Sequence, residues 1–237
     1  RFKRSASILL MFVMLVLVFP LQGMAENKLI VYTVNYPLYY FAERIGGEYI
    51  QVVLPTLPNV DPAFWDPDDN TVRQYQKADL IILNGAGYAK WTRKVSLPMR
   101  RMVDTSRAFK DELIHIETNV THNHGPGGDH SHGGTAFTTW LDFSQAALQA
   151  EAIYRALYRK LPTGKAAFTK NFELLKKDLL ELDVEMKTLS AQKPDLPLVG
   201  SHPIYQYMAR RYKLNLQMVM WEPGEDPGEA KWKHFQE

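Results

Sequence analysis

The chain has 237 residues, 46% of them hydrophobic and 23% charged, with a formal net charge of +2. This composition is that of a globular protein rather than a disordered one, and the near-neutral charge without a basic stripe argues against a nucleic-acid partner. The absence of cysteine excludes disulfide bonds and thiolate catalysis, and it leaves His, Asp, Glu or water as ligands for any transition metal.

The N-terminus has the pattern of a secretory signal peptide. Three basic residues precede an apolar run from Ile8 to Phe19, and small residues follow at Gly23 and Ala25. The run has 12 residues, whereas a membrane-spanning helix needs about 20, so a cleaved signal is favoured over a membrane anchor. We therefore predict that residues 1–25 are removed and that the mature protein is periplasmic.

Strand-like and helix-like segments alternate after the signal. The run "KLIVYTV" suits a buried parallel strand, and a helix opened by Pro37 and stopped by Gly46 and Gly47 follows it. "EYIQVVLP" predicts a second strand, and "TVRQYQKADLIILNGAG" predicts a helix, a strand at Leu80–Leu83 and a glycine-rich turn. This alternation predicts an α/β fold with a mainly parallel sheet.

Two longer helices are predicted in the second half of the chain. The segment Asp142–Leu161 is amphipathic, and Lys165–Gln192 runs 28 residues without Gly or Pro. As one helix, the latter would be about 42 Å long. Its apolar residues recur at spacings of three and four, which predicts one buried stripe. The members of that stripe are Phe168, Phe172, Leu175, Leu179, Leu182 and Met186. A lone long helix favours a rigid spacer between two lobes over a coiled-coil segment.

The segment after the long helix repeats the pattern of the first lobe: a strand, a turn, a proline-opened helix and a strand. Asn35–Leu54 aligns without a gap with Ser201–Met220, with five identities in twenty positions. Either the two lobes begin with equivalent units, or two βαβ units look alike because they obey the same packing rules. The first interpretation places Tyr36 and His202 at equivalent points after a strand, where α/β proteins bind ligands.

These features predict a domain organisation. After the signal peptide, residues 26–162 form an N-terminal α/β lobe that carries a histidine-rich loop at 121–134. Residues 163–192 form the interlobe helix, and residues 193–237 form a partial C-terminal α/β lobe. That last segment is too short to close a sheet comparable to that of the first lobe, so we expect the natural chain to continue.

The loop places four of the chain's seven histidines within eleven residues. They are His122, His124, His130 and His132. In an extended chain residues i and i+2 point to the same side, and the flexible "GPGGD" between the two pairs lets them approach each other near Asp129. Four imidazoles, or three and a carboxylate, suit tetrahedral zinc, although nickel or copper would also bind. The alternative is a solvated linker without a metal role.

Taken together, these segments resemble the periplasmic zinc- and manganese-binding proteins of ABC metal importers. The resemblance rests on the order and spacing of "VYTVNYPLYYFAERIGGEYIQVVLP", "DPAFWDP", "ADLIILNGAGYAKW", the histidine-rich loop, "TTWLDFSQA", the long helix and "GSHPIYQYMARRYKLNLQMVMWEP". It implies two α/β lobes joined by one rigid helix, one metal ion in the cleft, and delivery of that ion to a membrane permease by a monomer. The histidine-rich loop is typical of the zinc-type branch, so Zn2+ is the expected ion.

The resemblance also implies where metal ligands lie. Two positions that usually hold histidine are Ala63 and Thr138 here, and a third, which is His or Glu, is His202. A fourth, acidic ligand would lie beyond Glu237. The metal ligands expected of this chain are therefore His202, His122, His124, His130 and His132. The two replacements leave open an alternative, a divergent solute-binding or interaction module that has lost the cleft metal. No nucleophile–base pair or phosphate loop is evident, so an enzyme is not expected.

Overall fold

The computed structural model describes residues 28–116, 121–123, 129–131, 134–219, 221, 226 and 228–236. The predicted signal peptide, residues 1–25, lies outside these ranges, as do His124 and His132 of the predicted histidine loop. Among the residues that the structure describes, no helix is both long and apolar enough to cross a membrane.

A parallel sheet of four strands forms the centre of the first lobe. The strands are β1 (Leu29–Thr33), β2 (Ile50–Val53), β3 (Leu80–Leu83) and β4 (Met102–Asp104), in the spatial order β2-β1-β3-β4. Consecutive residues of a strand face opposite sides of a sheet, yet Ile81 and Ile82 of β3 are both fully buried. Both faces of the sheet are therefore covered, which is why its strands are apolar runs rather than alternating ones.

Four helices follow the sequence signals that predicted them. They are α1 (Tyr36–Gly46), α2 (Asp69–Lys77), α3 (Phe143–Lys160) and α4 (Lys165–Gln192). The side chain of Asn35 caps α1 by accepting from Leu38 N, Pro37 lies in its first turn, and Gly47 ends it at a φ of 52°. Asp142 caps α3 by accepting from the main-chain N–H groups of its first turn. Such caps satisfy donors that a helix leaves unpaired.

The long helix α4 has the predicted bounds and packs against α1 and α3. Its buried face contains Phe172, which stacks on Tyr154 of α3 with ring centroids 4.6 Å apart. The predicted stripe is wrong at one position, because Leu182 is 42% exposed whereas Asp183 is only 4% exposed. A carboxylate takes the next buried place after Leu179, since cationic partners from this helix and the second lobe reach it.

The second lobe contains a two-stranded parallel sheet and two helices. Its elements are β9 (Leu198–Gly200), α5 (Gln206–Tyr212), β10 (Leu216–Met218) and α6 (Gly228–Gln236). The predicted proline-opened helix is corrected here: α5 begins at Gln206, three residues after Pro203, and no side chain caps it. The aligned segments thus differ locally, since Tyr36 begins a helix whereas His202 lies in a turn that ends with Ile204 N donating to His202 O at 2.9 Å.

Two short antiparallel ladders follow β4 and precede α3 in chain order. One joins β5 (His115–Ile116) to β8 (Gly134–Thr135), and the other joins β6 (Thr121–Asn123) to β7 (Asp129–Ser131). The prediction of an α/β class with mainly parallel sheets, two lobes and one long helix is confirmed. The residue limits predicted for the lobes, 26–162, 163–192 and 193–237, stay a prediction.

Candidate metal-binding cleft between the lobes

A buried polar network lies at the carboxyl end of the parallel sheet. Asn35 Nδ2 donates to Asn84 Oδ1 at 3.2 Å, and Asn84 Nδ2 donates to the carbonyl oxygen of Phe137 at 2.9 Å. From α3, Gln149 Nε2 donates to Asn84 Oδ1 at 3.2 Å and to Thr105 Oγ1 at 3.0 Å. The network fixes the segment around Phe137 against the sheet. The sequence analysis did not single out this network. The signal that could have indicated it is Asn84, a polar residue directly after the apolar strand β3.

The position of Ala63 lies beside a cluster of aromatic rings. Ala63 is 4% exposed, and its N–H donates to Asp61 Oδ1 at 2.8 Å. The next residue, Phe64, meets Phe137 edge-on at 6.1 Å between ring centroids. The ring of Tyr88 contacts those of Phe137 and Trp140, with centroid distances of 5.2 Å and 5.9 Å. This aromatic cluster (Phe64, Tyr88, Phe137 and Trp140) is connected to Ala63 through the next residue in the chain, Phe64.

The aromatic cluster does not supply an anionic ligand in place of an imidazole. Burial is the main cause that raises the pKa of the Tyr88 phenol, and the negative charge of Asp61 raises the same pKa further. Tyr88 therefore remains a neutral hydroxyl at neutral pH. A neutral phenol is a poor substitute for the N, S or carboxylate ligands that zinc prefers.

At the second replaced position, Thr138 joins the lobes directly. Thr138 is 5% exposed, and its hydroxyl donates to the carbonyl oxygen of Ile204 in the second lobe. Ile204 belongs to the turn that contains the half-buried His202. The structure thus brings Thr138 and the turn that contains His202 to the same interface, where this hydrogen bond links the two lobes.

Two further contacts hold the second lobe against the first. Tyr207 of α5 donates its hydroxyl to Ala136 O at 2.8 Å and accepts from Ile114 N at 3.2 Å. Arg210 Nη1 donates to the carbonyl oxygen of Glu112 at 2.6 Å. Beside these contacts a cleft of about 580 Å3 opens between the lobes. The residues lining it include Lys90, Arg93, Phe137, Thr138, Ile204 and Gln206.

The residues that flank the histidine-rich segment, Ile116 and Gly134, lie at the rim of this cleft. Ile116 of β5 and Gly134 of β8 pair with each other and both line the cleft. Farther out, the β6–β7 ladder pairs His122 with His130 in its backbone register. The approach of the two histidine pairs stays a prediction.

One histidine at this rim was not singled out from the sequence. His115 in β5 is exposed, and its Nδ1 lies 3.5 Å from Thr135 Oγ1 of β8. Over the ranges that the structure describes, no three His, Asp or Glu side chains group closely enough to hold a metal ion. The ligand prediction for His202, His122, His124, His130 and His132 stays a prediction.

Residues 31–237 match the family ZnuA, whose description is "Zinc-uptake complex component A periplasmic". The chain belongs to the ZnuA family. This match confirms the resemblance of the sequence to the zinc- and manganese-binding proteins of ABC importers. The expectations of a zinc-type loop and of a truncated C-terminus stay predictions.

Two curated relatives and one solved structure illustrate the similarity to other members of the ZnuA family. The zinc-binding lipoprotein AdcA of Streptococcus pneumoniae is 26% identical over 215 residues, which cover 89% of this chain and 42% of AdcA. The high-affinity zinc uptake system protein ZnuA of Bacillus subtilis is 24% identical over 209 residues, covering 86% of this chain and 65% of that protein. The chain thus spans only part of the relatives' length.

The solved structure supports the fold. The Zn(II)-bound ZnuA-like domain of Streptococcus pneumoniae AdcA superposes with a TM-score of 0.71 at 20% sequence identity, covering 88% of this chain and 73% of that one. At this identity the likeness establishes a common architecture. It agrees with two α/β lobes and a long helix.

Proposed function

We propose that this protein binds Zn2+ outside the cytoplasmic membrane and delivers it to the permease of an ABC importer. The observation that carries the proposal is the family match, which extends over residues 31–237. Both relatives described above are named for zinc binding or zinc uptake. Zinc is cargo in this role, so the protein's task is to capture and release the ion rather than to transform a substrate.

We assign the capture of zinc to two places that adjoin each other. His202 is the family ligand position that retains a histidine, and it lies in the turn that Thr138 holds against the first lobe. The histidine-rich segment, which contains His122, His124, His130 and His132, begins and ends at the rim of the same cleft. An ion collected by the segment is thereby delivered at the cleft entrance.

The chemistry of the proposed ligands favours zinc over manganese. Imidazole nitrogen is a common zinc ligand, whereas manganese prefers carboxylate, carbonyl and water oxygen. With no cysteine in the chain, imidazole is the donor best suited to zinc that the proposed ligands offer. Manganese should therefore bind more weakly than zinc to the same protein.

Calorimetric titration of residues 26–237 with Zn2+ and, separately, Mn2+ tests the proposal. Three variants locate the site: one with all four loop histidines changed to Ala, His202→Ala, and the control His234→Ala on α6. A tight site that survives in the loop variant and disappears in His202→Ala places the ion in the cleft. Loss of the tight site in the variant without the four loop histidines places the ion in the loop. If the unaltered chain does not bind zinc, the proposed function is wrong.

A further inference from the structure

We infer that the cleft between the lobes binds a small organic carboxylate anion. The inference goes beyond the proposed function, and only its extension to a zinc–carboxylate chelate rests on that function. It starts from the charges that line the cleft. Lys90 and Arg93 are the charged side chains among its lining residues in the described part of the chain, and no Asp, Glu or His accompanies them.

In the part of the chain that the structure describes, neither of the two cations forms an ion pair with an acid. The next basic residue along the chain, Lys94, pairs with Asp66 at 2.8 Å. Within the ranges that the structure describes, neither Lys90 nor Arg93 has an Asp or Glu oxygen within 4.0 Å. Two cations that line the same cleft attract an anion.

The local backbone holds both side chains on one side. Lys90–Arg93 form a single turn of 3-10 helix, in which residues i and i+3 eclipse each other. Between them Trp91 is 2% exposed and packs against Tyr75, with ring centroids 4.8 Å apart. The buried tryptophan anchors the turn, so the cleft-lining Lys90 and Arg93 are presented together.

The turn is reached through strained backbone. Ala86 and Ala89 have φ values of 51° and 50°, in the left-handed region that disfavours residues with a Cβ atom. Such conformations persist where the surrounding structure imposes them, and they concentrate at binding sites. This stretch directly follows β3, at the sheet edge where α/β proteins bind their ligands.

The opposite wall and the size of the cleft define the ligand class. Gln206 and Thr138 line the wall formed with the second lobe, and Phe137 adds an apolar surface. The planar fork of Arg93 matches a carboxylate group, and Lys90 adds a point charge. A cleft of about 580 Å3 is within the range that holds small molecules. A compound with two or three carboxylates and a short carbon chain combines these features.

The test is calorimetric titration of residues 26–237, freed of metal by chelation and dialysis, with citrate alone, Zn2+ alone and zinc citrate. The double variant Lys90→Gln, Arg93→Gln should weaken citrate binding at least about tenfold, which corresponds to the loss of charge-assisted hydrogen bonds. The control double variant Lys94→Gln, Arg155→Gln removes two exposed charges outside the cleft lining. It should bind citrate within about twofold of the unaltered chain.

Each outcome of this experiment bears on the inference. No citrate binding by the unaltered chain, or equal weakening in both double variants, overturns it. Zinc citrate binding more tightly than citrate alone identifies a chelate as the ligand, and equal binding identifies the free anion. The titration with Zn2+ alone reports on the proposed function separately, because the loop histidines and His202 are intact in every variant. Thermal melting of each variant confirms that it is folded.

Discussion

Asp183 and Arg211 form a two-pronged ion pair where the long helix meets the second lobe. Arg211 Nε donates to Asp183 Oδ1 and its Nη2 donates to Oδ2, both at 2.8 Å. Tyr212 donates its hydroxyl to Asp183 Oδ1 at 3.2 Å and accepts from Phe143 N of α3 at the same distance. The carboxylate therefore ties together α4, the second lobe and the start of α3, and it fixes the lobes relative to each other.

Asp183→Asn should destabilise the protein by about 3 kcal/mol, because it leaves the partly buried Arg211 guanidinium without its counter-charge. Urea unfolding at pH 7 measures the change. The matched control is Asp178→Asn, which breaks the more exposed pair with Arg44 and should cost at most about 1 kcal/mol. Equal losses in the two variants would show that Asp183 is no more than a surface charge.

Stability should also fall in acid through this same carboxylate. Hydrogen bonds from Arg211 lower the pKa of Asp183 to about 2 against the opposing effect of burial, and Lys187 lowers it further. The usual value in an unfolded chain is about 3.9, so the carboxylate stabilises the folded state above about pH 4 and loses that effect between about pH 4 and 2. This lowering of the pKa corresponds to between about 2 and 3 kcal/mol of stability.

Urea midpoints of the unaltered chain and of Asp183→Asn at pH 5, 4, 3 and 2 isolate this contribution from that of other acids. The difference between the two proteins should be constant above pH 4 and shrink below it. A difference that does not change with pH would contradict the assigned pKa of Asp183.

Thr138→Val should cost about 1–2 kcal/mol, because the isosteric change leaves the carbonyl of Ile204 without the hydroxyl that donates to it. The loss should appear in urea unfolding and as faster hydrogen exchange in α5. Thr135→Val is the control, since its hydroxyl makes only a 3.5 Å contact with His115. If both variants are equally stable, the Thr138 bridge does not hold the lobes together.

Asn84→Ala should cost about 2–4 kcal/mol, since it removes the centre of the buried network. The variant takes the Asn84 acceptor away from Asn35 Nδ2 and leaves Gln149 Nε2 with Thr105 alone. Thermal and urea unfolding measure the loss. Asn70→Ala, at an exposed position of α2, should change stability by no more than about 0.5 kcal/mol. A small effect at Asn84 would mean that water replaces its hydrogen bonds.

Much of the fold follows from interactions between residues close in the sequence. Asn35 and Pro37 determine the start of α1, because a cap and a proline act within one helical turn. The apolar run Leu80–Leu83 suffices for a strand, and Lys165–Gln192 suffices for a helix, since no glycine or proline interrupts it. The histidine-rich segment is likewise identified from residue type and spacing, and its metal binding stays a prediction.

Other features were decided only by the tertiary structure, because they depend on residues far apart in the chain. Leu182 is exposed and Asp183 is buried because Arg211, 28 positions later, supplies the compensating charge. The bridge from Thr138 to Ile204 spans 66 positions and exists only once the lobes meet. That Lys90 and Arg93 line the same cleft as Thr138 and Ile204 is likewise decided only in three dimensions. Sequence patterns report local propensity and average burial, whereas the desolvation and pairing of polar groups are determined by which distant surfaces come together.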